Sequence, residues 1–557
     1  WIAAGVAPTP TADAVLNYLR GDKSNEGVTP TSFRQRSHAL GDIVYSGAVP
    51  VGVPREPYED TGNPGFSSYV AAQSTRTPAV YVGANDGMMH AFNDSTGPDA
   101  GKETWAYVPR ALFSNGDPND DAHAPDPNFQ IGALSYNAGI PFKHRFYVNA
   151  TPRIWSIDFA NTNTSTPPTS GNDWRTLLVG GLGAGARAVY ALDVTIPAAP
   201  PPPVVSTETE ATVASKVLWE FTEANLGYVF DAPTLVKTRA YGWVVLVASG
   251  YNNPGGKGFL YVLDPTSGAI VKKIALPNDT GTDASPTGLS TVRAFTSSRR
   301  DPYVLQAYSG DLKGNVWRFD LSSASITDWK AELIATLTDG FNPQPITTGI
   351  RIEINQNNNV DRYLFIGTGK LLGPNDIADA TVTNSLYVIR DGTRTTMEAA
   401  PGTPYSRADL NSVNGASVNG FTGPPTGRGW FQDASDPTQK IGSDVFADVQ
   451  TVVYSFSRPQ TANPCLGALT STLFARDFVT GASVLQDTGG TIQPFIDVGE
   501  GVAGIALIQS QETGDVRLQV TTFMPVPGKG QVFSFSVKLT GGPSNKHRVS
   551  WRLLSKE

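Results

Sequence analysis

One pattern recurs seven times and limits what this chain can fold into. In Gly258-Phe259-Leu260-Tyr261-Val262-Leu263-Asp264, apolar residues recur at period two. The run closes on the acidic, glycine-ended turn Pro265-Thr266-Ser267-Gly268. That is a half-buried strand entering a hairpin. The same shape returns at residues 87–93, 187–193, 314–320, 385–391, 471–477 and 530–536. Most copies follow an apolar strand that ends on Gly or another small residue, as in Val80-Tyr81-Val82-Gly83 and Leu364-Phe365-Ile366-Gly367. A strand pair cannot cover both of its own faces. Repetition around a ring solves this, because each blade covers the next. The chain is therefore expected to be all-β, a modified seven-bladed β-propeller with long loop insertions; a β-sandwich is the weaker reading. Val82, Val179, Leu246, Ala307 and Ile366 are expected in the strands nearest the propeller centre.

The 557 residues include 56 Gly and 42 Pro, which suits many turns. Val15, Leu16, Tyr18 and Leu19 predict a short helix over 12–20, stopped at Gly21. Residues 1–40 are read as this helix and a lead-in, and 41–557 as the propeller. The stretch 41–47 is expected to be a strand, one that could close the ring by pairing with the last blade. Spacing between copies leaves room for insertions at 114–140, 160–173, 196–215 and 392–446. The proline run 197–203 reads as an exposed spacer; an SH3-type ligand is the other option.

The formal net charge of −8 argues against a nucleic-acid partner. Cys465 is the single cysteine, so no intrachain disulfide exists in this sequence. No apolar run reaches the roughly 18 residues of a membrane span. The start at Trp1 reads as the C-terminal part of a longer protein.

The five histidines form no HxH or HExxH pair, and GxSxG is absent. The glycine-rich 180–185 joins two predicted strands, so it is a tight connection and not a phosphate loop. Oxygen side chains alternate through Glu353, Asn355, Asn357, Asn359 and Asp361. That spacing can wrap calcium, with Glu353, Asn355, Asn357 and Asp361 as the ligand set. Only two of these are carboxylates, and Asn-rich turns form without metal. Arg20-Gly21-Asp22 spells a tripeptide that integrins read, and a helix stop explains it equally. In 114–140, Phe129, Ile131, Leu134 and Tyr136 alternate with small or polar residues. Phe129 and Tyr136 are therefore candidates for an exposed edge that a partner strand could join.

Several stretches together resemble one family: Arg20-Gly21-Asp22, the run 40–46 (Leu-Gly-Asp-Ile-Val-Tyr-Ser), 81–92 (Tyr-Val-Gly-Ala-Asn-Asp-Gly-Met-Met-His-Ala-Phe), 105–110, 218–221, 309–321 and 548–552. The set is similar to the C-terminal propeller domain of the PilY family of type IV pilus tip-associated biogenesis factors and adhesins, over nearly the whole chain. The resemblance implies a non-enzymatic protein at the pilus tip, outside the cell after transit through the periplasm, with association to the outer membrane as a further option. It implies roles in pilus assembly and extension, twitching motility and surface adhesion. The implied partners are minor pilins, host or abiotic surfaces, and an N-terminal region absent from this sequence. Some family members bind calcium just before the Tyr-Ala-Gly-Asp-type strand. Here that stretch runs from Ser297 to Leu305 and keeps Asp301 as its one acidic residue. No cofactor is expected there. The alternative is a quinoprotein-like propeller dehydrogenase, which the 258–268 repeat also resembles. The tryptophans that dock such blades after each Thr-Gly turn are missing after Gly268 and Gly481, and one cysteine cannot form a vicinal pair.

Overall fold

Short continuous apolar runs make strands that are covered on both faces. Gly242–Ala248 is buried at every one of its seven positions. The computed structural model describes residues 11–29, 32–113, 134, 138–139, 142, 144–161, 172–196, 210–296, 298–300, 302–355, 357–421, 427–448, 450–459, 469–487, 489–509, 516–526 and 530–537. Strands dominate these residues, in seven sheets of four or five strands besides one two-stranded pair.

The first four sheets follow chain order: Val49–Val51 to Glu103–Tyr107, Arg153–Asp158 to Val217–Phe221, Thr234–Thr238 to Ile270–Ala275, and Arg293–Thr296 to Lys330–Thr336. The fifth takes Arg351–Ile354, Asp361–Gly367, Ser385–Thr393 and Gly429–Asp433, with Asn411–Ser412 added at its edge in parallel. The sixth runs from Phe446–Asp448 to Ile496–Asp497. The seventh joins Leu485–Gln486 to Gly530–Val537, Val516–Val526 and Val502–Gln509. All seven expected repeats are strands, and Val82, Val179, Leu246, Ala307 and Ile366 are buried within inner strands of their sheets.

Three expectations need correction. Residues 41–47 form no strand. Their amides are taken by side chains elsewhere: Gly41 N–H by Asp86 (2.8 Å), Gly47 N–H by Thr151 (2.7 Å). Nor does this stretch enter the seventh sheet, whose described strands all come from residues 485–537. The range 392–446 is not one insertion. It supplies Asn411–Ser412 and Gly429–Asp433 to the fifth sheet and opens Phe446–Asp448 of the sixth.

The chain divides into two compact units. One is Trp1–Leu305 with Asp320–Lys330, and the other is Gln306–Phe319 with Ala331–Glu557. In the first, helix α1 (Ala12–Leu19) is capped by Thr11, whose side chain accepts the Ala14 N–H. Its Val15, Tyr18 and Leu19 join one core with Tyr81, Met89 and Trp105 of the first sheet. In the second, burial extends to charge. Arg318 is wholly buried and donates to Asp391 (2.7 Å) and Glu332 (2.7 Å). Tyr308 donates to the second Asp391 oxygen at 2.7 Å, and Arg362 donates to the Asp391 carbonyl and to Gln306. Buried charges persist only when paired and hydrogen-bonded in this way.

The repeated turn has a physical origin. The Asp264 carboxylate accepts the backbone N–H of Thr266 and Ser267 together with their hydroxyls, and Gly268 takes φ +70°. Asp477 likewise accepts the backbone N–H of Val479 and Thr480 and the Thr480 hydroxyl, with Gly481 at φ +71°. A tryptophan from the preceding sheet closes each turn. The Trp219 indole donates to the Pro265 carbonyl (2.9 Å), and a Cβ on Gly268 would lie 2.8 Å from its ring. The Trp430 indole donates to the Phe478 carbonyl (3.0 Å) and packs beside Gly481. Docking tryptophans are therefore present, but they come before the turn in sequence and not after it.

Trp430 is fully buried, so Trp430→Ala is expected to destabilise the chain by about 3–5 kcal/mol. Trp430→Phe should lose the turn hydrogen bond and part of the ring packing, and so cost less than Trp430→Ala. Urea unfolding followed by intrinsic fluorescence measures both; equal losses for the two variants would contradict the docking role.

Candidate functional site

The motifs 40–46 and 81–92 lie far apart in sequence and meet at one end of the first sheet. Asn85 donates its backbone N–H to the Asp42 carbonyl (3.0 Å) and its side-chain amide to the Asp42 carboxylate (3.0 Å). Asn85 Oδ1 accepts the Tyr147 N–H (3.1 Å). Asp42 also binds His144 Nε2 at 2.8 Å. Ser46 Oγ accepts the Gly83 N–H at 2.8 Å. Behind this junction His90 sits between two carboxylates, with Nε2 3.1 Å from Asp86 and Nδ1 2.6 Å from Glu103. Burial alone would lower the His90 pKa. The hydrogen bonds and charges of Asp86 and Glu103 outweigh it and raise the value to about 9.

These clamps hold a short apolar run in the open. Ile43, Val44 and Tyr45 are 44 %, 50 % and 55 % exposed in succession. Tyr45 is pinned on both sides, its N–H toward Asn149 and its carbonyl accepting from Thr151 Oγ1 (3.1 Å). The Tyr45 ring lies 6.4 Å from both Phe146 and Phe230. The cluster has carboxylates and imidazoles, yet among the described residues no group of three or more His, Cys, Asp or Glu side chains is arranged to hold a metal. Its chemistry is that of a clamp. Sequence reading missed it because 41–47 looks like a strand, and only the distant partners His144, Asn149 and Thr151 show otherwise.

The singled-out residues are placed as follows. Arg20-Gly21-Asp22 ends helix α1. The Gly21 N–H binds the Tyr18 carbonyl and the Asp22 N–H the Asn17 carbonyl, with Gly21 at φ +102°. The Asp22 carboxylate accepts the Ser24 N–H (2.8 Å) and hydroxyl (3.0 Å). Arg351–Ile354 and Asp361–Gly367 pair as an antiparallel hairpin, with residues 355 and 357–360 in its connection and Gln356 outside the described residues. The Asn355 side chain accepts the Asn357 N–H, and Asn358 accepts those of Val360 and Asp361. The carboxylates face arginines: Glu353 pairs with Arg351, and Asp361 with Arg390. In the stretch from Ser297 to Leu305, Arg300 pairs with Glu59 (2.8 Å) and its carbonyl accepts from Asn63 (3.1 Å). Phe129, Tyr136, Ser297 and Asp301 lie outside the described residues. Leu134 is buried, against the close approach of Gly87.

Comparison with known proteins decides the kinship. The PilY1 β-propeller domain matches residues 40–407. The chain belongs to that family. The type IV pilus biogenesis factor PilY1 of Pseudomonas aeruginosa strain PAK is 29 % identical over 98 % of this chain and 48 % of its own length. A PilY1 homologue of Xylella fastidiosa strain Temecula1 is 29 % identical over 96 % of this chain and 40 % of its own length. The chain thus spans about half the length of the curated PilY1 relatives it matches. The crystal structure of the Pseudomonas aeruginosa PilY1 C-terminal domain shares the fold, with a TM-score of 0.63 at 23 % identity, covering 89 % of this chain and 100 % of that one. The family motifs 40–46 and 81–92 are the ones that build the clamp. The PilY1 relatives are named for pilus biogenesis. Among the described residues no helix is long and apolar enough to cross a membrane.

His90 supplies a test of the clamp. Its folded pKa lies above the usual 6.5, so its contribution to stability is fully present below about pH 6.5 and is lost as pH rises through about 9. Urea unfolding between pH 6 and 10 is expected to show this loss in the parent chain. In His90→Gln the His90-linked part of the pH dependence should disappear.

Proposed function

We propose that this domain acts by binding and not by catalysis, as a platform at the type IV pilus tip that engages minor pilins and so supports pilus extension, twitching and attachment to surfaces. One observation carries the reading: the consecutive exposed residues Ile43, Val44 and Tyr45, pinned from both sides by buried or clamped polar groups. Exposed aliphatic and aromatic side chains on a fixed backbone lose little entropy on association, which is what a recognition surface needs. A catalytic centre would instead turn polar groups toward a cleft. Here the polar groups of the cluster turn toward each other. The PilY1 relatives supply the context of pilus biogenesis. Arg20-Gly21-Asp22 and the 114–140 segment, with Phe129 and Tyr136, remain further candidate contacts for a partner or host surface under this proposal.

Val44→Asp and Tyr45→Ser are expected to reduce capture of minor pilins by the purified domain at least tenfold. The melting temperature should stay within about 4 °C, because both side chains are half exposed. Unchanged capture by both folded variants would move the binding face elsewhere.

For the metal, we propose that 353–361 works as a hairpin turn without calcium, since its carboxylates are engaged by Arg351 and Arg390. Isothermal titration with calcium should give no heat that Asp361→Ala abolishes. A calcium-binding signal lost in that variant would restore the ligand set Glu353, Asn355, Asn357 and Asp361.

A further inference from the structure

A lysine and a carboxamide are buried together beneath the loop that precedes helix α2 (Phe66–Ala72). Lys237, from the first strand of the third sheet, is 1 % exposed, and so is Asn63. Lys237 Nζ lies 3.4 Å from Asn63 Oδ1 and 2.8 Å from the Gly62 carbonyl. The Asn63 amide nitrogen donates to the carbonyls of Arg300 (3.1 Å) and Glu59 (3.5 Å), which fixes the orientation of the carboxamide. One aromatic ring lies against the amine. The Tyr303 ring centroid is 4.7 Å from Nζ, and the buried Trp243 stands opposite Lys237 in the strand register. Asp158, at the end of Arg153–Asp158, is 3 % exposed and within electrostatic reach of Lys237.

We infer that Lys237 and Asn63 join in an intramolecular isopeptide bond after folding, with Asp158 carrying the proton. The chemistry needs no outside reagent. Asp158 takes a proton from the Lys237 ammonium. Neutral Nζ attacks Asn63 Cγ, the Nζ–Cγ bond forms and the Cγ–Nδ2 bond breaks. As it departs, that nitrogen takes a second proton from Nζ and the one held by Asp158, so an ammonium side chain and a primary amide become a secondary amide and an ammonium ion. A desolvated lysine is a competent nucleophile, because a dry pocket favours the neutral amine. Burial also pushes the Asp158 pKa up, which suits a carboxyl that must hold a proton for part of the reaction. Fixing amine and amide in contact replaces a bimolecular encounter with an intramolecular one. The bond would close a loop between residues 174 apart, tying the 59–65 loop to the third sheet.

Intact-mass spectrometry of the whole chain, denatured after folding, tests this. The parent chain is expected to be lighter than its sequence mass by one ammonia. Proteolysis should release one branched peptide joining the Asn63 and Lys237 segments, which distinguishes the cross-link from a cyclised asparagine. Lys237→Arg should run at its full sequence mass. Asp158→Asn should also run at full mass while keeping the parent circular-dichroism spectrum. A parent chain at full sequence mass, or a lighter one without the branched peptide, overturns the inference. A folded Asp158→Asn chain that still loses ammonia and gives the branched peptide overturns the role given to Asp158.

Discussion

Within each compact unit, neighbouring sheets share buried cores. A strand such as Gly242–Ala248, buried along its whole length, has no face that can meet water. The contacts Trp219–Pro265 and Trp430–Phe478 show how the cover is fixed in place. A large ring from one sheet lies over the glycine of the next turn, and its single donor satisfies a turn carbonyl. Each glycine is required twice over, once for its positive φ and once because a side chain would strike a neighbour, the Trp219 indole at Gly268 and Val413 at Gly481. Sheet order and turn chemistry are thereby coupled, and a fault in one turn is felt by two sheets.

The buried ions follow a different logic. Arg318, Arg362, Asp391 and Glu332 could be replaced by apolar residues with no loss of buried area, yet each is held by hydrogen bonds of defined direction. Apolar contact tolerates sliding, whereas a guanidinium shared between Asp391 and Glu332 accepts one arrangement. Such a network costs desolvation and returns a fixed register between strands.

The fold was legible because its signal is local. Period-two alternation and the Asp-to-Gly turns lie within a dozen residues of each other, and all seven repeats became strands. What stayed hidden depends on distance. The run 41–47 alternates like a strand, but its amides bond to residues far away in the chain, and alternation carries no information about partners. The range 392–446 reads as a polar loop because Asn411–Ser412 is too short to leave a periodic trace. The alternating oxygens of 353–361 gave a ligand spacing. The arginines that face its carboxylates, Arg351 and Arg390, could be assigned only once the hairpin was seen. The tryptophans were sought after the turn, where another fold family puts them; nothing local links Trp219 to Gly268.

The clamp on 41–47 also sets an order of events in time. The hairpin strands of the first sheet find each other over short spans of chain, so they pair early. Three of the contacts that hold Ile43, Val44 and Tyr45 in place span far more: 102 residues from Asp42 to His144 and 104 from Tyr45 to Asn149 and from Gly47 to Thr151. A chain that emerges N-terminus first therefore holds these three apolar residues by the contacts to Gly83, Asn85 and Asp86 alone until the stretch before the second sheet has followed. During that interval the same side chains are free to pair with the wrong surface. Dwell time in the half-emerged state, and not only final stability, then governs the yield of correctly folded chains.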